Sequence, residues 1–201
     1  LKGEFTQAVN DLMCLALPAD GEPILQVPLF ERPRHAASGI GIEIANNWAL
    51  GDDPVTHIVA DIKKRNLDRG ATIMDVSGSY SPYSFIHQLV NSLGARAVTA
   101  LIDRVRLVKS PAEQAYLRKA ATITDVGTQA ALDAFAEDTV DYDVAAAALS
   151  AMVKAGSEAL TCDPYICIGW RTAAPHSNRG GQVAKVEDPL FVELGATRAC
   201  Y

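Results

Sequence analysis

The chain has 201 residues, 49% of them hydrophobic and 21% charged, which excludes a wholly disordered chain and leaves apolar material for a packed core. Its 18 Lys and Arg stand against 24 Asp and Glu, giving a formal net charge of −6, and no cluster of five or more basic residues occurs. With aromatics at only 6%, neither a nucleic-acid surface nor an anionic-membrane surface is expected.

In chain order, Leu12 to Leu17 and Ile24 to Phe30 are apolar runs separated by Pro18-Ala19-Asp20-Gly21-Glu22-Pro23, the pattern of a hairpin with a long turn. The alternation in Ile40 to Ile44 predicts a third strand. Asp53-Pro54 opens a helix, with Asp as cap and Pro at the first position. Its apolar positions are Val55, Ile58, Val59 and Ile62, and Lys63, Lys64 and Arg65 suit the negative end of the helix dipole. Ala71 to Val76 reads as a strand, Pro82 to Leu93 as a helix stopped by Gly94, and Ala95 to Val98 as a short strand. This alternation predicts an α/β region with a mixed sheet.

Ser110-Pro111-Ala112-Glu113 is a capping box, in which each end residue's side chain accepts from the other's amide. It starts a helix predicted to reach about Phe135, with Leu117, Ala121, Thr124, Thr128, Ala131, Leu132 and Phe135 facing inward. A second, alanine-rich helix is predicted from about Tyr142 to Lys154, with Asp141 as its cap and Gly156 as its stop. Strands follow at Tyr165 to Ile168 and Leu190 to Leu194, and a domain boundary is placed near Lys109.

Four cysteines lack CxxC spacing, and the C-x4-C of Cys162 and Cys167 has no second pair to complete a zinc site, so free thiols are expected. No P-loop, GxGxxG, GxSxG or HExxH occurs. No apolar run approaches the ~18 residues of a membrane span, and no signal-peptide pattern is present, so a cytoplasmic location without a membrane partner is expected. The chain opens on Leu1-Lys2-Gly3 without Met and closes on Cys200-Tyr201 just after a strand-like run, which leads to the expectation of a fragment. Of four histidines, His35, His57 and His87 have no ligand partners at useful spacing and are expected to be solvated or satisfied. His176 ends Gly169-Trp170-Arg171-Thr172-Ala173-Ala174-Pro175-His176, a loop between two strands, where an imidazole can give or take a proton near neutral pH.

Two places carry a resemblance to a known family. Arg106-Leu107-Val108-Lys109-Ser110-Pro111-Ala112-Glu113-Gln114, followed by Leu117-Arg118-Lys119-Ala120-Ala121, resembles the segment that opens the catalytic domain of the creatinase and Xaa-Pro peptidase family. Ala173-Ala174-Pro175-His176, with Phe191-Val192-Glu193-Leu194-Gly195 and Tyr201, resembles that family's histidine loop, the strand after it and the tyrosine of the next turn. Pro18 to Pro23 and Phe30-Glu31-Arg32 are similar to its amino-terminal domain.

The resemblance implies a creatinase-type α/β amino-terminal domain over 1–108, truncated at its start, then the first part of an α+β pita-bread catalytic domain over 109–201. It implies hydrolysis of a C–N bond in a small-molecule or dipeptide substrate, and a homodimer. His176 matches the catalytic histidine, while Glu193 and Tyr201 fall at substrate-binding positions. Glu193 also occupies the place of the metallopeptidases' first metal-binding aspartate. That departure is similar to ectoine-hydrolase-like members and creatinase, so an amidino or cyclic amidine substrate and no metal cofactor form the first reading. A Xaa-Pro aminopeptidase or dipeptidase using a divalent metal (Mn, Co or Zn) is the alternative, and a non-catalytic binding module of the same fold is the third. The 201-residue chain alone is expected to be inactive, because the family's further site residues fall beyond Tyr201.

Overall fold

A computed structural model describes residues 12–39, 41–45, 48–76 and 82–201. Contacts divide the chain into two compact units, one running to Val108 and the other formed by Lys109–Tyr201. Among the described residues no helix is long and apolar enough to cross a membrane.

In the first unit, β1 (Cys14–Ala16) and β2 (Ile24–Gln26) form the expected antiparallel hairpin, and β3 (Glu43–Ala45) adds to β2 in parallel. The strands are shorter than the apolar runs that announced them, and Ile40 of the third run lies outside the described residues. A helix the periodicity did not announce, α1 (Arg32–Ala37), precedes β3. The next helix, α2 (Pro54–Lys64), is capped as read: the Asp53 carboxylate accepts from the amides of Val55 (3.3 Å) and Thr56 (3.1 Å). Those bonds, led by the Thr56 hydroxyl, hold the Asp53 carboxyl below its usual range. Val55, Ile58 and Ile62 join Leu12, Trp48 and Leu89 in the unit's core. Gly94, left-handed at φ 59°, ends α3 (Tyr83–Leu93), and β4 (Ile73–Asp75) pairs in parallel with β5 (Arg96–Val98). A second unannounced helix, α4 (Leu101–Leu107), follows β5.

The second unit packs two helices on a two-stranded antiparallel sheet. The capping box forms with both of its bonds, starting α5 (Pro111–Ala134). Its buried face is Ala120, Ile123, Gly127 and Ala131; of the expected inward face Thr124, Thr128, Ala131 and Phe135 are buried or half-buried, while Leu117, Ala121 and Leu132 are corrected to exposed. The rotation brings Gly127 against Met152 of α6 (Asp141–Lys154) and aims Thr124 at the sheet, where its hydroxyl accepts from the Ala196 amide at 3.0 Å. Asp141 is not the cap of α6 either. Val140 holds that place, and the Asp141 side chain turns away to the loop at Gly180 and Gly181.

The sheet joins β6 (Leu160–Ile168) to β7 (Leu190–Ala196). β6 starts five residues before the predicted Tyr165, through two register shifts, the second of which spans Pro164, which has no amide to pair. Ile166 and Ile168 point into a core with Val144, Ala145, Ala148 and Ala131, against which Leu190, Val192 and Leu194 pack. Burying each large aliphatic side chain contributes about 1.5–3 kcal/mol.

Candidate active site

Alternation along a strand sends successive side chains to opposite faces. With Ile166, Ile168, Val192 and Leu194 committed to the helices, Tyr165 and its cross-strand partner Glu193 stand together on the other face. A 3-10 turn, Gly169–Ala173, then leads the chain back over that face. The buried Cys167 thiol donates to the Pro175 carbonyl at 3.3 Å, fixing the residue before His176. Farther on, Arg179 donates to the Pro164 carbonyl and to the Asp163 carboxylate, both at 2.6 Å.

The loop so held brings the His176 Nε2 within 3.3 Å of a Glu193 carboxylate oxygen. The imidazole ring also leans on Tyr165, with centroids 5.7 Å apart and planes at 50°. The side chains of His176 and Glu193 are 74% and 43% exposed, so solvent screens the pair and its effect on stability is about 0–1 kcal/mol. Its value is geometric. With Nε2–H given to the carboxylate, Nδ1 is left free to accept a proton from a bound molecule.

Two of the three expected site residues are thus brought together. Tyr201 belongs to another cluster, at the start of α5. Its hydroxyl donates to Glu113 at 2.7 Å, and its ring stacks on Tyr116 with centroids 6.1 Å apart. Glu113 also accepts from the Ser110 amide at 2.7 Å; that bond first and Tyr201 second lower the Glu113 pKa to about 2. Tyr165, Cys167 and Arg179 were absent from the expected site. The strand alternation placed Tyr165 on a face but could not say what stood opposite. His35, His57 and His87 lie beside Arg34, Asp52 and Tyr83 respectively.

Residues 115–201 match metallopeptidase family M24. Over 198 residues the chain is 26% identical to the protein of Bacillus subtilis (strain 168) named "Putative dipeptidase YkvY", covering 97% of this chain and 54% of that one. It is 30% identical over 118 residues to the Xaa-Pro dipeptidase of Pyrococcus horikoshii, covering 57% of this chain and 34% of that one. A recombinant prolidase from Thermococcus sibiricus superposes with a TM-score of 0.75 at 17% identity, over 94% of this chain and 51% of that chain. The resemblance to the creatinase and Xaa-Pro peptidase family therefore holds, and the fold is that of about half of the pita-bread structure it superposes on. Closeness to ectoine hydrolases finds no counterpart among these proteins, which are named as two dipeptidases and a prolidase. The chain spans about half the length of the first of them.

Among the described residues no group of three or more His, Cys, Asp or Glu could hold a metal ion. His176 and Glu193 offer one imidazole and one carboxylate, fewer donors than a metal centre needs, so the described residues do not by themselves fit one.

Proposed function

We propose that this chain is part of a dipeptidase of the Xaa-Pro type, hydrolysing the amide bond of a small peptide. The observation that carries the reading is the His176–Glu193 pair, set on the open face of the β6–β7 sheet inside the segment that matches family M24. Residues 1–108 serve as the creatinase-type amino-terminal domain, 109–201 as the first part of the catalytic domain, and the whole protein works as a homodimer. The names of the relatives favour the dipeptide over the amidino or cyclic amidine substrate that Glu193 first suggested.

In this reading His176 handles the proton. Its Nδ1 takes a proton as the water that attacks the carbonyl carbon loses one, and returns it to the leaving nitrogen when the C–N bond breaks. Glu193 holds the ring in orientation and stabilises its charged form between those two transfers. Tyr165 supports the imidazole from one side, and it also lines a small cleft with Tyr142, Asp163, Pro164, Asn178 and Arg179, beside which a peptide's end can lie.

The test is turnover by the intact protein of an Xaa-Pro dipeptide, creatine and ectoine, with and without His176→Ala. Hydrolysis of the dipeptide is expected, lowered about a hundred- to ten-thousand-fold by the substitution, with the melting temperature nearly unchanged because the side chain is exposed. Hydrolysis of creatine or ectoine in place of the dipeptide would refute the substrate reading. Normal kcat in His176→Ala would refute the role of the histidine.

A further inference from the structure

The loop carrying His176 is tied to the rest of its unit through a residue far from it in sequence. Asp141 is fully buried. Its carboxylate accepts from the Gly180 amide at 2.9 Å with one oxygen and from the Gly181 amide at 3.1 Å with the other. Its own amide donates to the Gln182 carbonyl at 3.0 Å. Three consecutive loop residues thus end on a single side chain and backbone at the start of α6. The two glycines permit it. Gly181 sits at φ +75°, and a Cβ on Gly180 would lie 2.8 Å from the Arg171 guanidinium.

A buried carboxylate that accepts two amides forms charge-assisted bonds, stronger than neutral ones, and losing one leaves an oxygen unsatisfied inside the unit. The Cys167 thiol fixes Pro175 on the near side of His176, and Asp141 fixes Gly180 and Gly181 on the far side. Between these anchors stands an imidazole 74% exposed, whose own contacts are the Glu193 carboxylate on one ring nitrogen and the Tyr165 ring on one side. Those contacts hold only while the loop backbone stays in place, which Asp141 secures together with Arg179.

We propose that Asp141 is a positioning residue for His176, holding the far end of the loop so that the imidazole stays opposite Glu193. The proposal rests on the reading of His176 as the group that handles the proton. Asp141 itself touches no reacting atom.

The experiment uses the intact protein carrying Asp141→Asn, with Asp143→Asn, an exposed acid of the same helical turn, as control. Asparagine keeps the size but turns an NH2 donor toward one of the two amides. The kcat for the Xaa-Pro dipeptide is expected to fall about ten- to a hundred-fold with KM changed less than about two-fold, since small misplacements of a catalytic group act on the chemical step. In a His176→Ala background the same change is expected to cost nothing more. An equal loss in both backgrounds would make Asp141 structural and overturn the proposal. Asp143→Asn is expected to leave kcat as it was, and a comparable loss there would also overturn it.

A second readout needs no turnover. In a 1H–13C spectrum of the four histidine rings, the His176 signal is assigned by its loss in His176→Ala. Asp141→Asn is expected to shift that signal and leave His35, His57 and His87 in place. An unmoved His176 signal overturns the proposal. A shifted signal in a protein that hydrolyses no dipeptide upholds the positioning and counts against the functional reading alone. Asp141→Ser, which removes the charge at smaller size, is expected to give the same pattern and serves where Asp141→Asn does not fold.

Discussion

Gly127→Ala sets two opposing effects against each other at the helix contact that carries the candidate site. At an open helical position the change favours folding by about 0.8–1.0 kcal/mol. At Gly127, however, the new Cβ would stand 2.5 Å from Met152 Cγ and 2.9 Å from its Sδ, with the Ala148 carbonyl oxygen at 3.5 Å. Carbon atoms pack best at about 3.5–4.0 Å. Cγ lies near the root of the methionine side chain, and Met152 is fully buried, so relief requires moving the whole residue. Overpacking of this kind costs about 1–3 kcal/mol. The difference is a net loss of about 0–2 kcal/mol, centred near 1. Hydrogen exchange of the α5 and α6 amides checks it: protection there should fall about five-fold while that of α2 stays constant. In a Met152→Ala background the methyl has room, and the same substitution should raise protection. A rise in the natural sequence would refute the close approach.

Two further outcomes test the clusters around the sheet. Because the folded-state pKa of Glu113, about 2, lies below its ordinary 4.5, its contribution to stability is full above about pH 4.5 and is lost as pH falls through about 2; Tyr201→Phe should raise that pKa in a carboxyl NMR titration, and an unmoved value would detach Tyr201 from Glu113. Glu193→Asp withdraws the carboxylate from His176 by about a bond length and should lower kcat a few-fold, in keeping with an exposed pair worth about 0–1 kcal/mol; a variant faster than the natural protein when Mn, Co or Zn is added would show that metal ligation, not pairing with His176, governs that position.

The parts of the fold legible in sequence are those whose determinants are local. The capping box at Ser110–Glu113 and the Asp53-Pro54 start complete their bonds within one helical turn, and Gly94 ends α3 by its own backbone. The start of α4 was not legible because the acceptor for its Ile102 amide is Asp75, at the end of β4 and 27 residues earlier. In β6, Pro164 reads as a breaker, and only register shifts against β7 explain how the strand continues past it. The face of α5 was read in part, Thr124, Thr128, Ala131 and Phe135 being buried or half-buried as expected, but spacing alone did not fix the helix's exact rotation. The close packing on α6 instead selected the row through Gly127, with Leu117 and Leu132 left outside.

The site divides along the same line. Strand alternation puts Glu193 opposite the core-facing residues, and a loop between strands is where His176 would be expected to act. Their meeting at 3.3 Å depends on the Tyr165–Glu193 register and on how the 3-10 turn folds back, neither of which a single stretch of sequence encodes. Asp141 shows the limit more sharply. Before a helix of alanines an aspartate has an adequate local explanation as a cap, and that explanation conceals its partners forty residues on, Gly180 and Gly181. The local and tertiary explanations make different demands. A cap tolerates Ser, Thr or Asn, whereas a buried carboxylate bound by two amides admits none of them without losing a bond or turning a donor onto a donor. Substitution at Asp141 therefore separates the two explanations.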